Sequence, residues 1–156
     1  MILKIRNIDS FECPDMNSII ASAVTAWISA QSIKVLWGLA RYGSRDICRI
    51  PWRILWAGGM PSTHSAVVTA TTIAVLFHSG VESMIFGLAL VVSCIIIYDR
   101  LRMRSLYNAF QKRYPSLKKA VQKDPLLTDL VGHRISEVII GVLTGACVGL
   151  LLCSSV

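Results

Sequence analysis

Four stretches of this chain carry no charged residue and approach the length needed to cross a lipid bilayer. They are residues 16–33, 65–81, 83–98 and 138–156. A transmembrane helix needs roughly 20 apolar residues, and each stretch reaches this length when it is extended slightly at one end. A soluble bundle of 156 residues could bury one such helix, but hardly four. The pattern predicts an all-α fold, a single membrane-embedded domain over 1–156 with about four transmembrane helices.

The basic residues are concentrated on one side of this predicted bundle. The net charge is +7, and with four spans the basic segments 41–57 and 100–134 lie on the same side. Cytoplasmic loops are enriched in Lys and Arg, so both are expected in the cytoplasm. These charges flank membrane spans without an aromatic-rich face, which argues against a nucleic-acid partner. Residues 1–16 form an N-terminal segment, and 105–128 are expected to be a basic loop, either amphipathic on the inner leaflet or solvated.

The most distinctive local sequence is Gly-Gly-Met-Pro-Ser-Thr-His-Ser at residues 58–65. Glycines allow a sharp turn and close approach to a ligand, and Ser62 or Thr63 can cap the helix that follows. Backbone amides at a helix N-terminus bind anions, and His64 places a titratable imidazole beside them. This combination suits a phosphate ester whose leaving group needs a proton. An ordinary helix cap with an incidental histidine fits this stretch equally well.

Two further pairs of polar residues sit near the ends of predicted spans. Lys34 lies inside the first helix, where a charge is costly and often functional, although it could also snorkel to the interface. Arg41 follows two turns later on the same face, so the two cations could hold one anion. His133 and Glu137 are one helical turn apart, so the carboxylate can hold one ring nitrogen and direct the other outward. This is the orienting half of a histidine nucleophile, but also a common surface pair.

The last span carries a row of small residues, Gly141, Gly145 and Gly149. Glycines at every fourth position favour close packing against a neighbouring helix or against a second subunit, so a homo-oligomer is possible. The five cysteines are scattered without a C-x-x-C pair, which predicts free, buried thiols rather than a disulfide frame or a zinc site. The three histidines form no metal-binding motif, so neither a metal nor a cofactor is expected.

These motifs resemble the divergent branch of the superfamily of type-2 phosphatidic acid phosphatases and vanadium-dependent haloperoxidases. The resemblance extends over residues 21–152 and rests on four short sequences. They are Ala-Gln-x-x-Lys at 30–34, the stretch at 58–65, Tyr-Asp at 98–99 and Gly-His-x-x-x-Glu-Val-x-x-Gly at 132–141. The Pro-Ser-x-His element after two glycines is the most specific of them.

The resemblance implies a role for each matching residue. His133 would be the nucleophile that forms a phosphohistidine, Glu137, in place of the usual aspartate, would orient it, and His64 would protonate the leaving oxygen. The residues implied in phosphate binding are Lys34, Arg41, Ser62, Thr63 and Arg104. The superfamily usually places an arginine six residues before its nucleophile, whereas Arg104 lies far upstream of His133. Which arginine of 100–104 contacts phosphate therefore stays open.

Three functions are compatible with these residues. The preferred one is an integral membrane phosphatase that acts on a lipid phosphate or diphosphate without a metal, because a pure scaffold would not need both His64 and His133. The second is a catalytically inactive scaffold or lipid-headgroup-binding protein of the same fold. The third, a vanadate-dependent haloperoxidase, ranks last because a small apolar membrane chain suits that chemistry poorly. The sequence does not identify the lipid.

Overall fold

The computed structural model describes residues 16–42, 59–116 and 132–154. Within these ranges the chain forms helices and no strand. The four helices are α1 Met16–Tyr42, α2 Thr63–Ser79, α3 Met84–Arg113 and α4 Ile135–Ser154. Three of them, α1, α3 and α4, are long and apolar enough to cross a membrane. α2 has 17 residues, which is the lower end of the usual range for a span. The predicted all-α fold is confirmed.

The shortest helix, α2, is the centre of the bundle. α1, α3 and α4 each pack against it, α1 also packs against α4, and α3 makes only marginal contact with α4. The buried side chains of α2 are mostly small, and Ala66, Ala70 and Ala74 have no exposed surface. Small side chains allow helix axes to approach closely, so three longer helices can surround one short helix.

Successive helices run in opposite directions. Ser18 Oγ near the start of α1 lies 2.9 Å from His78 Nε2 at the end of α2. At the other end of the same pair, Lys34 of α1 contacts Thr63 of α2. α2 and α4 therefore both begin at the end of the bundle where α1 finishes.

α2 and α4 pack through two matching rows of small residues. The rows are Gly141, Gly145 and Gly149 of α4, opposite Ser62, the N-cap of α2, and Ala66 and Ala70 within α2. A Cβ atom at Gly145 would overlap the carbonyl of Ala66, so only glycine permits this separation. The glycine row thus packs against a neighbouring helix of the same chain, one of the two predicted alternatives. Association of two copies through these glycines stays a prediction, and it would require α2 to move away.

α3 is held to α2 by a buried pair of hydroxyl groups. Thr72 Oγ1 lies 2.7 Å from Ser93 Oγ, and both oxygens are within hydrogen-bonding distance of the Val68 carbonyl, at 2.8 and 3.2 Å. Along the described length of α3, Ser93 is the buried residue, and most of the large apolar side chains of residues 84–98 are exposed, as expected for a helix in contact with lipid. Cys94 and Cys147 are free but exposed, so their predicted burial is wrong; they lie on the outward faces of α3 and α4.

α3 also continues well beyond the charge-free stretch that predicts it, which ends at residue 98. It runs without interruption to Arg113, because the segment 101–113 contains neither Gly nor Pro. Thirty residues make a helix about 45 Å long, longer than the roughly 30 Å hydrocarbon core. The first nine residues of the loop predicted at 105–128 therefore belong to α3. The remainder of that loop from 117, like the N-terminal segment 1–15, lies outside the described residues.

Candidate active site

The predicted site residues that the structure describes lie at the end of the bundle where α2 and α4 begin. On α1, the Lys34 ammonium donates a hydrogen bond to Thr63 Oγ1 at 2.7 Å. Thr63 is the first residue of α2 and is only 8% exposed. The ammonium is therefore engaged by a neighbouring helix, which disfavours the alternative in which Lys34 simply snorkels into the headgroups.

Ser62, the residue before α2, joins this helix to α4. Its amide donates to the backbone carbonyl of Glu137 at 2.9 Å. Its hydroxyl accepts from the Ser65 amide at 3.4 Å and from the Ser65 hydroxyl at 3.0 Å, and the residue has no exposed surface. The structure thus gives Ser62 the role of an N-cap. Its contact with phosphate stays a prediction, and two of the amides that the turn could offer to an anion are bonded within the protein.

His133 and Glu137 meet as their spacing predicts. His133 Nδ1 lies 3.1 Å from Glu137 Oε2, and since a carboxylate only accepts, Nδ1 carries the hydrogen, and in the neutral ring Nε2 keeps its lone pair. The same oxygen accepts from the Arg134 amide at 3.1 Å, the carboxylate half of a capping box. The two side chains are 6% and 19% exposed. Glu137 therefore fixes the ring of His133 and the start of α4 together.

Gly132 is a further residue of this site to which the sequence motifs assigned no role. It has a φ of +69°, and a Cβ there would lie 2.5 Å from the Arg104 nitrogen and 2.9 Å from the Arg100 oxygen. The next amide, that of His133, donates to the Arg100 carbonyl at 3.2 Å. The backbone of His133 is thus hydrogen-bonded directly to α3. A glycine immediately before the histidine was the one available signal.

For the remaining predicted site residues, the structure gives their place on a helix and, for two of them, the exposure of the side chain. The backbone of Arg104 lies beside Gly132, and its side chain is half-buried. His64 is on the first turn of α2 and is exposed, so of the two histidines it is the one open to its surroundings. Arg41 lies two turns beyond Lys34 on the helical backbone of α1, while its side chain is outside the described part of the structure.

This end of the bundle combines a cation, a helix N-terminus and an oriented imidazole. A helix N-terminus carries partial positive charge and favours anions, and the Lys34 ammonium adds a full charge beside it. The geometry suits an anion whose central atom accepts the Nε2 lone pair of His133. Among the described residues, no cluster of three or more His, Cys, Asp or Glu side chains could hold a metal ion.

A family model described as the Divergent PAP2 family matches residues 16–148 of this chain. The chain belongs to this family. A Bacillus subtilis (strain 168) protein named as the uncharacterized membrane protein YuiD is 31% identical over 148 residues, covering 84% of this chain and 90% of the relative. No solved structure matches the chain. Membership of the Divergent PAP2 family confirms the resemblance drawn from the motifs, and the chain is a membrane protein of that family.

Proposed function

We propose that the protein is a membrane phosphatase that hydrolyses a lipid phosphate or diphosphate through a phosphohistidine on His133. The observation that carries the proposal is a continuous series of contacts between Lys34 on α1 and His133 on α4, which we call the contact chain. It passes through Thr63, Ser62 and Glu137. The contact chain places a cation, a helix N-terminus and a carboxylate-oriented imidazole at one end of the bundle, and phosphoryl transfer uses these groups.

In the first step, His133 Nε2 attacks phosphorus and forms a P–N bond. The P–O bond to the lipid breaks, and the leaving oxygen takes a proton from the protonated His64. The ring of His133 becomes positively charged when it carries the phosphoryl group. The Glu137 carboxylate, bonded to Nδ1 at 3.1 Å, stabilises that charge and holds the ring in line.

In the second step, a water molecule attacks phosphorus and gives a proton to the neutral His64. The P–N bond breaks, its electron pair returns to Nε2, and inorganic phosphate leaves. The non-bridging oxygens are held by the cations, Lys34, Arg41 and Arg104, together with Thr63 and, as predicted from the motif, Ser62. The reaction requires no metal or cofactor, so excess chelator should leave turnover intact.

A substrate anchored in the bilayer fits the position of these groups. They lie toward the ends of helices that are apolar enough to cross a membrane, so a lipid held by its acyl chains could bring its headgroup to them. Basic segments continue from this end, and the positive-inside rule favours the cytoplasmic side for such segments. We therefore propose a lipid phosphate or diphosphate presented from the cytoplasmic leaflet as the substrate class.

A catalytically inactive scaffold of the same fold is the second candidate. The observation that favours it is the hydrogen bond from the Arg134 amide to Glu137, because a helix cap would retain this glutamate even without catalysis. The two candidates differ in what they require of His133. Only the phosphatase needs its Nε2 atom.

The test is phosphate release from a panel of lipid phosphates in detergent or liposomes, beside His133→Ala, His64→Ala and His78→Ala. His78 is the matched control, because it lies on α2 like His64 but bonds Ser18 at the opposite end of the bundle. We expect release by the native chain, loss of release in His133→Ala, and retention in His78→Ala. If the native protein releases no phosphate, or if His133→Ala releases as much as the native protein, the inactive scaffold is the better interpretation.

Two additional measurements assign the separate histidine roles. Radiolabelled lipid phosphate quenched in base should leave a base-stable phosphoryl group on native protein and none on His133→Ala. An aryl phosphate such as p-nitrophenyl phosphate has a leaving group that needs no proton. We expect His64→Ala to slow alkyl lipid phosphates far more than this aryl ester, and an equal loss on both would reject His64 as the acid.

A further inference from the structure

We propose that Thr63 is a positioning residue that holds the Lys34 ammonium at the N-terminus of α2, so that the anion site is already assembled before the substrate arrives. This inference rests on the proposed function for its biological meaning. The contact itself is a hydrogen bond of 2.7 Å between Lys34 Nζ and Thr63 Oγ1. It joins side chains that are 29 positions apart in the sequence and belong to two different helices.

The position of Lys34 in α1 shows what such a contact can do. Its Cα lies eight residues before the end of α1 at Tyr42, which is about 12 Å along the helix axis. A lysine at this depth lowers its energy by extending its flexible stem toward the headgroups. The side chain of Thr63 offers an acceptor on the facing helix and keeps the ammonium turned inward.

Electrostatics at the start of α2 works against this arrangement when no anion is bound. The N-terminus of a helix carries partial positive charge and repels a cation, and Thr63 is the first residue of α2. A hydroxyl oxygen that accepts from the ammonium offsets part of this repulsion. A phosphoryl group entering the site would relieve the rest, because it is attracted both to Lys34 and to the helix N-terminus.

The hydroxyl of Thr63 also keeps a hydrogen for the ligand. Its oxygen accepts from Lys34, so its own O–H remains able to donate to a phosphoryl oxygen. Thr63 therefore does two things at once, since it fixes the cation and presents a donor beside it. Its burial at 8% exposure restricts the rotation of the side chain and keeps both groups in place.

The experiment compares Thr63→Val, which keeps the shape and removes the hydroxyl, with Thr63→Ser, which keeps the hydroxyl. The first readout is the rate of reductive methylation of Lys34, measured by mass spectrometry with the exposed Lys112 as internal reference. The second is the affinity for inorganic phosphate, measured as protection of the protein against thermal unfolding. The third is a double-mutant cycle for phosphate affinity with Lys34→Ala.

We expect Thr63→Val to raise the methylation rate of Lys34 and to weaken phosphate binding by roughly tenfold or more, the value of a hydrogen bond to a charged group. Thr63→Ser should restore both properties. In the Lys34→Ala background, Thr63→Val should have little further effect, because Thr63 acts through that lysine.

Two results would overturn the inference. One is an unchanged methylation rate in Thr63→Val, which would mean that the hydroxyl does not hold the ammonium. The other is altered methylation with unaltered phosphate affinity, which would mean that the tether serves only the fold. A native chain that binds phosphate in a Thr63-dependent way but hydrolyses no lipid would reject the phosphatase and keep the positioning role.

Discussion

At Gly132, two independent constraints exclude a side chain. The backbone adopts a φ of +69°, and a Cβ would overlap the Arg104 nitrogen at 2.5 Å. A left-handed alanine costs on the order of 1–2 kcal/mol before any overlap is counted. We expect Gly132→Ala to displace the backbone of His133 from α3 and to lower kcat at least tenfold, the effect of about 1.4 kcal/mol. The test is to measure the turnover and the phosphohistidine yield of Gly132→Ala. Values equal to those of the native protein would contradict this prediction.

Gly80 provides the matched control for this substitution. It also has a positive φ, of +79°, but it caps the end of α2, at the opposite end of the bundle from His133. Gly80→Ala therefore adds backbone strain, of order 1–3 kcal/mol, away from the predicted site. If both variants lose the same activity, backbone strain alone is responsible and the contact of His133 with α3 is not.

Glu137→Gln separates the charge of this side chain from its hydrogen bonds. The amide oxygen of glutamine can still accept from His133 and from the Arg134 amide, so α4 should keep its cap and its thermal stability. The negative charge that stabilises the phosphorylated ring is lost. We expect kcat to fall by roughly 10²-fold or more, while Glu82→Gln, at the opposite end of the bundle, leaves it unchanged. A Glu137→Gln enzyme of full activity would limit this residue to helix capping.

The two histidines should give a bell-shaped dependence of rate on pH. The nucleophile His133 must be neutral, so the rate rises with pH, and the acid His64 must be protonated, so the rate falls again. Histidines commonly titrate between about pH 5 and 8. We expect His64→Ala to remove the fall on the alkaline side. A flat profile of the native enzyme over this range would contradict the assignment of both roles.

Residue-scale prediction from sequence succeeded where the partners are close in the chain. His133 and Glu137 are four positions apart on one helix, so helical geometry alone brings them together. The contact of Lys34 with Thr63 depends on how α1 packs against α2, which no local pattern specifies. For the same reason the sequence identified Ser62 as a cap or a ligand, but could not show that its hydroxyl and amide are both bonded inside the protein.

At the scale of elements, the packing of α2 on α4 depends on glycine at the contact positions. A methyl group at Gly145 would overlap the Ala66 carbonyl, whereas one at Gly87 on α3 meets no atom of the described residues within 4 Å. Gly145→Ala should therefore force the helices apart at a cost of about 1–3 kcal/mol, and Gly87→Ala, which gains helix propensity without an overlap, should leave stability unchanged or raise it by up to about 1 kcal/mol. Thermal unfolding in detergent compares the two. Equal melting temperatures would contradict the packing.

The elements also show where sequence patterns are ambiguous. The glycine row of α4 was recognisable from its spacing, but the complementary alanines of α2 do not stand out among the apolar and hydroxyl residues of that helix. The charge-free stretch that predicts α3 stops at residue 98, just before the arginines 100–104. A membrane boundary is not a helix boundary, because charged residues such as Arg102 are good helix formers in water, and α3 continues to Arg113.

At the scale of the whole molecule, the alternation of helix direction is what assembles the site. Because successive helices run in opposite directions, the end of α1, the starts of α2 and α4, and the Arg100–Arg104 turn of α3 lie at one end of the bundle. The four charge-free stretches were sufficient to predict this common end. The distances between the groups at this end depend on how small residues pack around α2, and a hydropathy pattern does not specify that packing.

The same architecture predicts which side of the membrane the site faces. Along the extension of α3 and the segment after it, residues 100–123 carry eight basic residues and no acidic one, and such segments stay in the cytoplasm. In a cysteine-free variant, we introduce Asn108→Cys on the exposed extension of α3 and Glu82→Cys in the turn at the opposite end. On intact cells, a membrane-impermeant thiol reagent should label position 82 at once and position 108 only after permeabilisation. The reverse pattern would place the site outside, and its lipid in the outer leaflet.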